Sequence, residues 1–232
     1  MPAYKSLLHA FGVDLRRYPN RDIEITLNTL AQSRKIGLIV DVGANTGQFA
    51  LGMRAVGYAG DIVSFEPMGD AFRALSKHAA RDNRWSVRQA AVGAEATQMT
   101  INVAANSYSS SLLPMTQEHL AAAPESTTMG HEVVEVVRLD SQFDRNDGPL
   151  ILKIDTQGFE SQVLDGLGLL EDQVQVISLE LSFVELYTGQ MLFDELLQRI
   201  RSMGFLPWWF QPEFIDPTTR QMLQVNGVFV RS

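Results

Sequence analysis

Short apolar runs recur along the chain, with stretches of helical spacing between them. Leu38, Ile39 and Val40 form the first run. Its continuity predicts a strand over 37–42 that is covered on both faces. A helix is predicted over 48–56, stopped by Gly57 and Gly60, and then a strand over 61–65. Phe72, Leu75 and Ala79 share one face of a helix over 70–80, and a strand over 85–92 ends at Gly93. The alternation resumes with a strand over 149–155, a helix over 159–167 and a strand over 174–181. Phe193, Leu196, Leu197 and Ile200 lie on one face of a helix that stops at Gly204. Strands over 205–210 and 225–231 follow, joined by a loop holding Pro212, Asp216 and Pro217. Strand alternating with helix predicts a parallel, doubly wound α/β sheet. The last two strands, with no helix between them, predict an antiparallel hairpin.

Two stretches break the alternation. Over 98–139 the pattern changes to period two, in 99–103 and in part of 132–137, with Ser107, Tyr108, Ser109, Ser110 and Ser111 between. This reads as an insertion: two added strands bridged by a polar loop and a short helix. Loops of that length are lids, binding loops or simply soluble. Residues 1–35 form a lead-in. Leu7, Leu8, Phe11 and Leu15 lie at helix-like spacing, and Ile23, Leu27 and Leu30 form a stripe on a second short helix. Such stripes pack on a core, here over one end of the sheet; closing over a substrate is the other use. We expect one domain over 1–232, with the core over 36–232 and the insertion at 98–139.

Composition narrows the function classes. The 232 residues suffice for one α/β core, and 45% hydrophobic with 20% charged is ordinary for a globular protein. Nineteen Lys and Arg face 27 Asp and Glu, a formal charge of -8. An acidic chain has no phosphate-tracking surface, so nucleic acid is not the expected partner. With no cysteine there are no disulfides, thiol nucleophiles or thiolate metal sites. No apolar run reaches membrane-spanning length and the N-terminus lacks a signal peptide's core, so a cytoplasmic enzyme is expected. A homo-oligomer stays open.

The chemistry gathers first at 38–49, LIVDVGANTGQF: a buried strand, a glycine turn and the start of a helix. Gly43 and Gly47 let backbone approach a ligand without a Cβ in the way. A helix opening after Gly47 would aim free N–H groups and a positive dipole end into the crevice. The spacing is not the Gly-x-Gly-x-x-Gly of dinucleotide folds, which speaks against NAD. Glu66 ends the next strand about 20 residues on, where βαβ nucleotide sites place a ribose-binding carboxylate. Capping the following helix is its other use.

DVGANTG over 41–47, SFEP over 64–67 and LKIDTQGFE over 152–160 resemble the FkbM-type S-adenosylmethionine (SAM)-dependent methyltransferases in order and spacing. The resemblance covers roughly residues 37–231. It implies a class I methyltransferase Rossmann-like sheet and O-methylation of a hydroxyl on a sugar, glycolipid or polyketide-type small molecule. It also points to the serine-containing loop as lying near the active site. Glu66 would then accept from the two ribose hydroxyls, with Pro67 beside it. Gly43, Ala44, Asn45 and Gly47 would line the amino-acid end of SAM, Asp41 would hold the turn and the ammonium, and Ala90, Ala91 and Val92 would leave room for adenine.

LKIDTQGFE carries the second constellation. Lys153 and Asp155 are two apart on a strand and point the same way. A lysine in an apolar strand needs a carboxylate, for which Asp155, Glu160 and Glu180 are candidates. Asp155 and Glu180 end strands at the carboxyl edge of the sheet, where open α/β sheets bind ligands. They can act as general base and orienter for a hydroxyl, hold a divalent cation, or only pair with Lys153. Asp155 also belongs to the expected cofactor set, and Lys153 with Asp155 and Glu180 to the catalytic one. His9, His78, His119 and His131 show no metal-ligand spacing; His78 is expected to be solvated, and His119 and His131, which flank the insertion, are expected to be exposed, with approach to a substrate as the other use. Trp208, Trp209 and Phe210 are expected in the core, with stacking on a sugar ring as the other use. The reading is a SAM-dependent O-methyltransferase. N- or C-methyl transfer, an NAD-linked oxidoreductase and a non-catalytic cofactor-binding subunit are the alternatives.

Overall fold

The computed structural model describes residues 21–106, 108–144 and 148–232. The helix expected around Leu7 to Leu15, together with His9, lies outside them. In chain order the elements are α1 (Asp22–Arg34), β1 (Leu38–Val42), α2 (Gln48–Ala55), β2 (Asp61–Phe65), α3 (Gly69–Ala79), β3 (Trp85–Arg88) and β4 (Ala91–Val92). There follow β5 (Thr97–Ala104), α4 (Gln117–Ala122), β6 (Thr128–Val137), β7 (Leu150–Ile154) and α5 (Glu160–Asp165). The chain ends with β8 (Val174–Ser182), α6 (Phe193–Ser202), β9 (Phe205–Ile215) and β10 (Met222–Arg231).

Seven strands form one sheet in the order β3-β2-β1-β7-β8-β10-β9. All its pairings are parallel except those of β10, which runs antiparallel to β8 and to β9. The expected doubly wound sheet and terminal hairpin are therefore both present. β1 and β7 lie side by side at the centre, where the strand order reverses, the position at which open α/β sheets bind ligands.

Each central strand divides its side chains between two cores. Leu38, Val40 and Val42 of β1 join Leu150, Leu152 and Ile154 of β7 on the α5–α6 face. Ile39 and Ile151 point the other way, against Leu27 and Leu30 of α1, Met53 of α2 and Leu75 of α3. Both faces are covered, which is why β1 is buried at all five positions. The α1 stripe of Leu27 and Leu30 packs as expected on the core. Among the described residues no helix is long and apolar enough to cross a membrane.

Three expectations change. The strand read over 85–92 is two strands in two sheets. β3 ends where Glu66 N–H bonds the Arg88 carbonyl, and Ala91–Val92 joins a small sheet of order β4-β6-β5. The two expected insertion strands are β5 and β6, with residues 128–131 lengthening the second. In the hairpin, Pro212 lies inside β9 opposite Val225 rather than in a loop. An edge strand tolerates proline because one side has no ladder to satisfy. Trp208 and Trp209 are not core residues: on that edge strand they are 61% and 41% exposed.

The first turn is held by Gly43, whose φ of 76° suits glycine. A Cβ there would fall 1.9 Å from the Asp155 carbonyl oxygen. The missing side chain thus serves the close approach of β1's end to β7's end. Gly43 and Ala44 N–H groups both bond the Phe65 carbonyl, at 3.0 and 2.9 Å. The ends of β1, β2 and β7 are drawn to one point.

Candidate active site

A polar row crosses the sheet on its α1–α3 face. Cross-strand register sets Ser64 beside Asp41, Asp41 beside Lys153, and Lys153 beside Ser178. Asp41 is fully buried. Its Oδ2 accepts the Ser64 hydroxyl at 3.0 Å, and Ser64 accepts the Trp85 indole N–H at 3.0 Å. Lys153 Nζ lies 3.3 Å from Asp41 Oδ1 and 3.3 Å from Asp155 Oδ2, and donates to the Gly43 carbonyl at 3.3 Å. Burial alone would depress the ammonium's pKa, but Asp155 and Asp41 outweigh it and push the pKa up. Lys153 is a permanent cation, so it can hold groups but not take protons.

Of the three carboxylates considered for Lys153, Asp155 pairs with it directly. The second partner, Asp41, was missed. Glu160 does something else: its Oε1 accepts from Thr156 N–H, Gly158 N–H and the Thr156 hydroxyl at 3.1–3.2 Å. That clamps the turn after β7, where Gln157 takes a φ of 55°. The turn aims the Gln157 side chain across the site. Its Nε2 donates to Asp155 Oδ1 and to Glu180 Oε2, both at 2.8 Å, and its Oε1 accepts the Tyr187 hydroxyl at 2.8 Å. Gln224 Nε2 adds a second donor to Glu180 Oε2 at 3.2 Å. Burial, then the charges of Asp155, Glu160 and Glu213, hold the Glu180 carboxyl well above the usual carboxylate range. Gln157 lies within LKIDTQGFE but carries no charge; the glycine after it was the one signal of a turn there.

Glu66 stands opposite. Its Oε2 accepts from Asn45 N–H at 2.8 Å and its Oε1 from Met68 N–H at 2.9 Å. It ties the glycine turn to the entry of α3, so the helix-entry use is real. A carboxylate has about four acceptor sites, and these bonds use two, leaving two for a pair of ligand hydroxyls. Burial pushes its pKa up to about 7, against the pull of the two backbone N–H groups.

Glu66, Asp155 and Glu180 line one cavity of about 410 Å³, within the range of small-molecule sites. Its wall includes Gly43, Ala44, Asn45, Pro67, Ala90, Ala91, Val92 and Lys153. Asp41 and Gly47 are not part of that wall: Asp41 sits behind it with Lys153, and Gly47 opens α2 against Trp85 and Leu75. The insertion loop supplies Tyr108, Ser110, Ser111 and Leu112 to the wall, as the lid reading has it. Ser111 also donates to the Gln157 carbonyl at 2.6 Å. At the mouth, β9 and β10 add Gln211, Glu213 and Asn226, three residues that sequence reasoning missed. They face the cavity because β9 runs beyond its apolar stretch.

His119 is not solvated: it is 3% exposed, packed edge-on to Tyr187 at 5.0 Å. His78 bonds the Thr46 carbonyl at 2.9 Å, steadying the glycine turn from α3, while His131 is exposed as expected. Among the described residues no three His, Asp or Glu side chains converge as metal ligands.

The family profile described as methyltransferase FkbM domain matches residues 41–207. No curated protein matches the chain. Among solved structures, the magnesium protoporphyrin IX methyltransferase of Synechocystis PCC 6803 with bound SAH is similar in fold. It is 9% identical, covers 99% of this chain and 94% of that chain, and has a TM-score of 0.50. TehB from Haemophilus influenzae is 8% identical at a TM-score of 0.49, covering 97% of this chain. This chain spans 66% of TehB, just under two thirds. An rRNA methylase from Streptococcus thermophilus is 8% identical at 0.48, covering 94% of this chain and 99% of that chain. At these identities the likeness is one of fold.

The buried pair yields a test. Lys153→Met leaves Asp41 charged without its cation, at a cost of about 3–5 kcal/mol. Adding Asp41→Asn should restore a large part of that. Urea unfolding of both singles and the double is the measurement; additive losses would show that the two residues do not depend on each other.

Proposed function

The chain belongs to the FkbM methyltransferase family, and from that premise we propose that it transfers a methyl group to a hydroxyl of a small molecule: a sugar, glycolipid or polyketide-type acceptor. The family makes it a SAM-dependent methyltransferase. The observation that carries the finer reading is that Glu66 and the Asp155–Gln157–Glu180 cluster line the same cavity.

The residues present suit SAM. Glu66 has two acceptor sites left for the ribose hydroxyls, and Ala90 and Ala91 leave space where adenine would lie. When bound, SAM supplies a methyl group on a sulfonium, a carbon that an oxygen nucleophile can attack in line. The protein's part is to hold the acceptor oxygen there and to take its proton. Asp155, paired with Lys153 at 3.3 Å, orients the hydroxyl. Glu180, whose proton affinity burial has raised, is placed to act as the base and would take the hydroxyl proton onto its carboxylate. Gln157 keeps the two carboxylates in one geometry. We read residues 36–232 as a single SAM-binding core with 98–139 inserted, acting in the cytoplasm on small molecules rather than nucleic acid. The net charge of -8 supports the last point.

Two outcomes follow. Ribose hydroxyls donate to an ionised Glu66, whose pKa lies at about 7 in the free protein. A raised pKa means that a proton must leave before SAM binds, so affinity should fall by up to about tenfold per pH unit below 7 and level off above. Calorimetric titration across that range checks it, and Glu66→Gln should bind weakly with no such slope. A wild-type affinity flat in pH would return Glu66 to a purely structural role. For chemistry, Glu180→Gln should keep SAM affinity and lose about 10²-fold in single-turnover methyl transfer. A full rate in the folded variant would remove Glu180 as the base.

A further inference from the structure

Among the described residues five carboxylates line the cavity, Glu24, Glu66, Asp155, Glu180 and Glu213, against one cation, Lys153. Glu66 belongs to the ribose side, and Lys153 is already engaged with Asp41 and Asp155. Arg21 lies near Glu24 and is not part of the wall. What remains on the acceptor side is Asp155, Glu180 and Glu213.

The amide groups there are turned so that their donors are used within the protein. Gln157 Nε2 is divided between Asp155 and Glu180, and Gln224 Nε2 between Glu180 and Ser182. Asn226 Nδ2 bonds Glu213 at 2.8 Å. Gln211, in contrast, presents a buried Oε1 with no hydrogen-bond partner. SAM brings a sulfonium and an ammonium against one carboxylate, which still leaves the wall's acceptors and negative charge in excess, so the acceptor must bring donors and positive charge as well.

We infer that the acceptor carries a protonated amine close to the hydroxyl that is methylated: an amino sugar or another amino alcohol, in preference to neutral, phosphorylated or carboxylated hydroxyl compounds. The inference rests on the hydroxyl-transfer reading above and narrows its substrate class. An ammonium among Asp155, Glu180 and Glu213 would hydrogen-bond several of these acceptors at once. It would also favour the ionised form of Glu180, which burial opposes in the free protein. The substrate's own charge would thereby bring the base into its working state. Phosphorylated acceptors would meet three carboxylates with no free cation among the described lining residues, which is costly for both.

The test is labelled methyl transfer from SAM to matched acceptors. Glucosamine, N-acetylglucosamine and glucose 6-phosphate form one set, and kanamycin beside its N-acetylated form another. The amine-bearing member should be methylated on oxygen, as mass spectrometry of the product would show, with kcat/KM at least about tenfold above its acylated or phosphorylated counterpart; label on its nitrogen overturns the inference. Glu213→Gln should narrow that gap while leaving SAM affinity unchanged. Equal or faster transfer to the acylated or phosphorylated members overturns the inference and leaves hydroxyl transfer standing. Label on none of them, with SAM bound, counts against hydroxyl transfer itself and takes this inference with it.

Discussion

A lysine ammonium inside the sheet is the constraint from which the site follows. Lys153 stands on a strand whose neighbours are buried, and a charge there persists only with close partners. Those partners are Asp41 across the β1–β7 pair, the Gly43 carbonyl above it and Asp155 two residues on. Each is thereby fixed. Asp41 in turn orients Ser64, which receives the Trp85 indole, so the polar row reaches from β3 to β7. The central strands can be buried on both faces and still end in charged groups at the carboxyl edge.

The same economy runs through the ligand-facing residues. Gly43 lacks a side chain because Asp155 needs the space, and the resulting turn presents Asn45 N–H to Glu66. Glu66 fixes that turn and the start of α3 while keeping acceptor sites toward the cavity. Gln157, held by Glu160 and Ser111 around it, joins two carboxylates that would otherwise repel each other. Glu66 and the Asp155–Gln157–Glu180 cluster are thus parts of one hydrogen-bonded frame.

Much of this was legible in the chain. The apolar run at 38–40 marked a buried strand, and the strand-end acids Glu66, Asp155 and Glu180 all face the cavity. What periodicity could not show is which strands are neighbours. Asp41 and Lys153 meet only because β1 lies beside β7, over a hundred residues away in the chain. Strand periodicity likewise has no signal for a change of sheet, so β3 and β4 read as one strand. Trp208 and Trp209 read as core because aromatic residues usually are, yet an edge strand exposes what a central strand would bury. His119 erred the other way: α4 carries it against Tyr187 and Phe214, a contact set by the return of β9.

The account stands on the cavity being a SAM site whose carboxylate wall recognises the ribose. One calorimetric comparison tests that most directly: SAM and NADH titrated separately into the purified protein. SAM should bind one to one and NADH should give no binding heat, since the turn lacks the dinucleotide glycine spacing. Binding of NADH, with none of SAM, would contradict the account at its root.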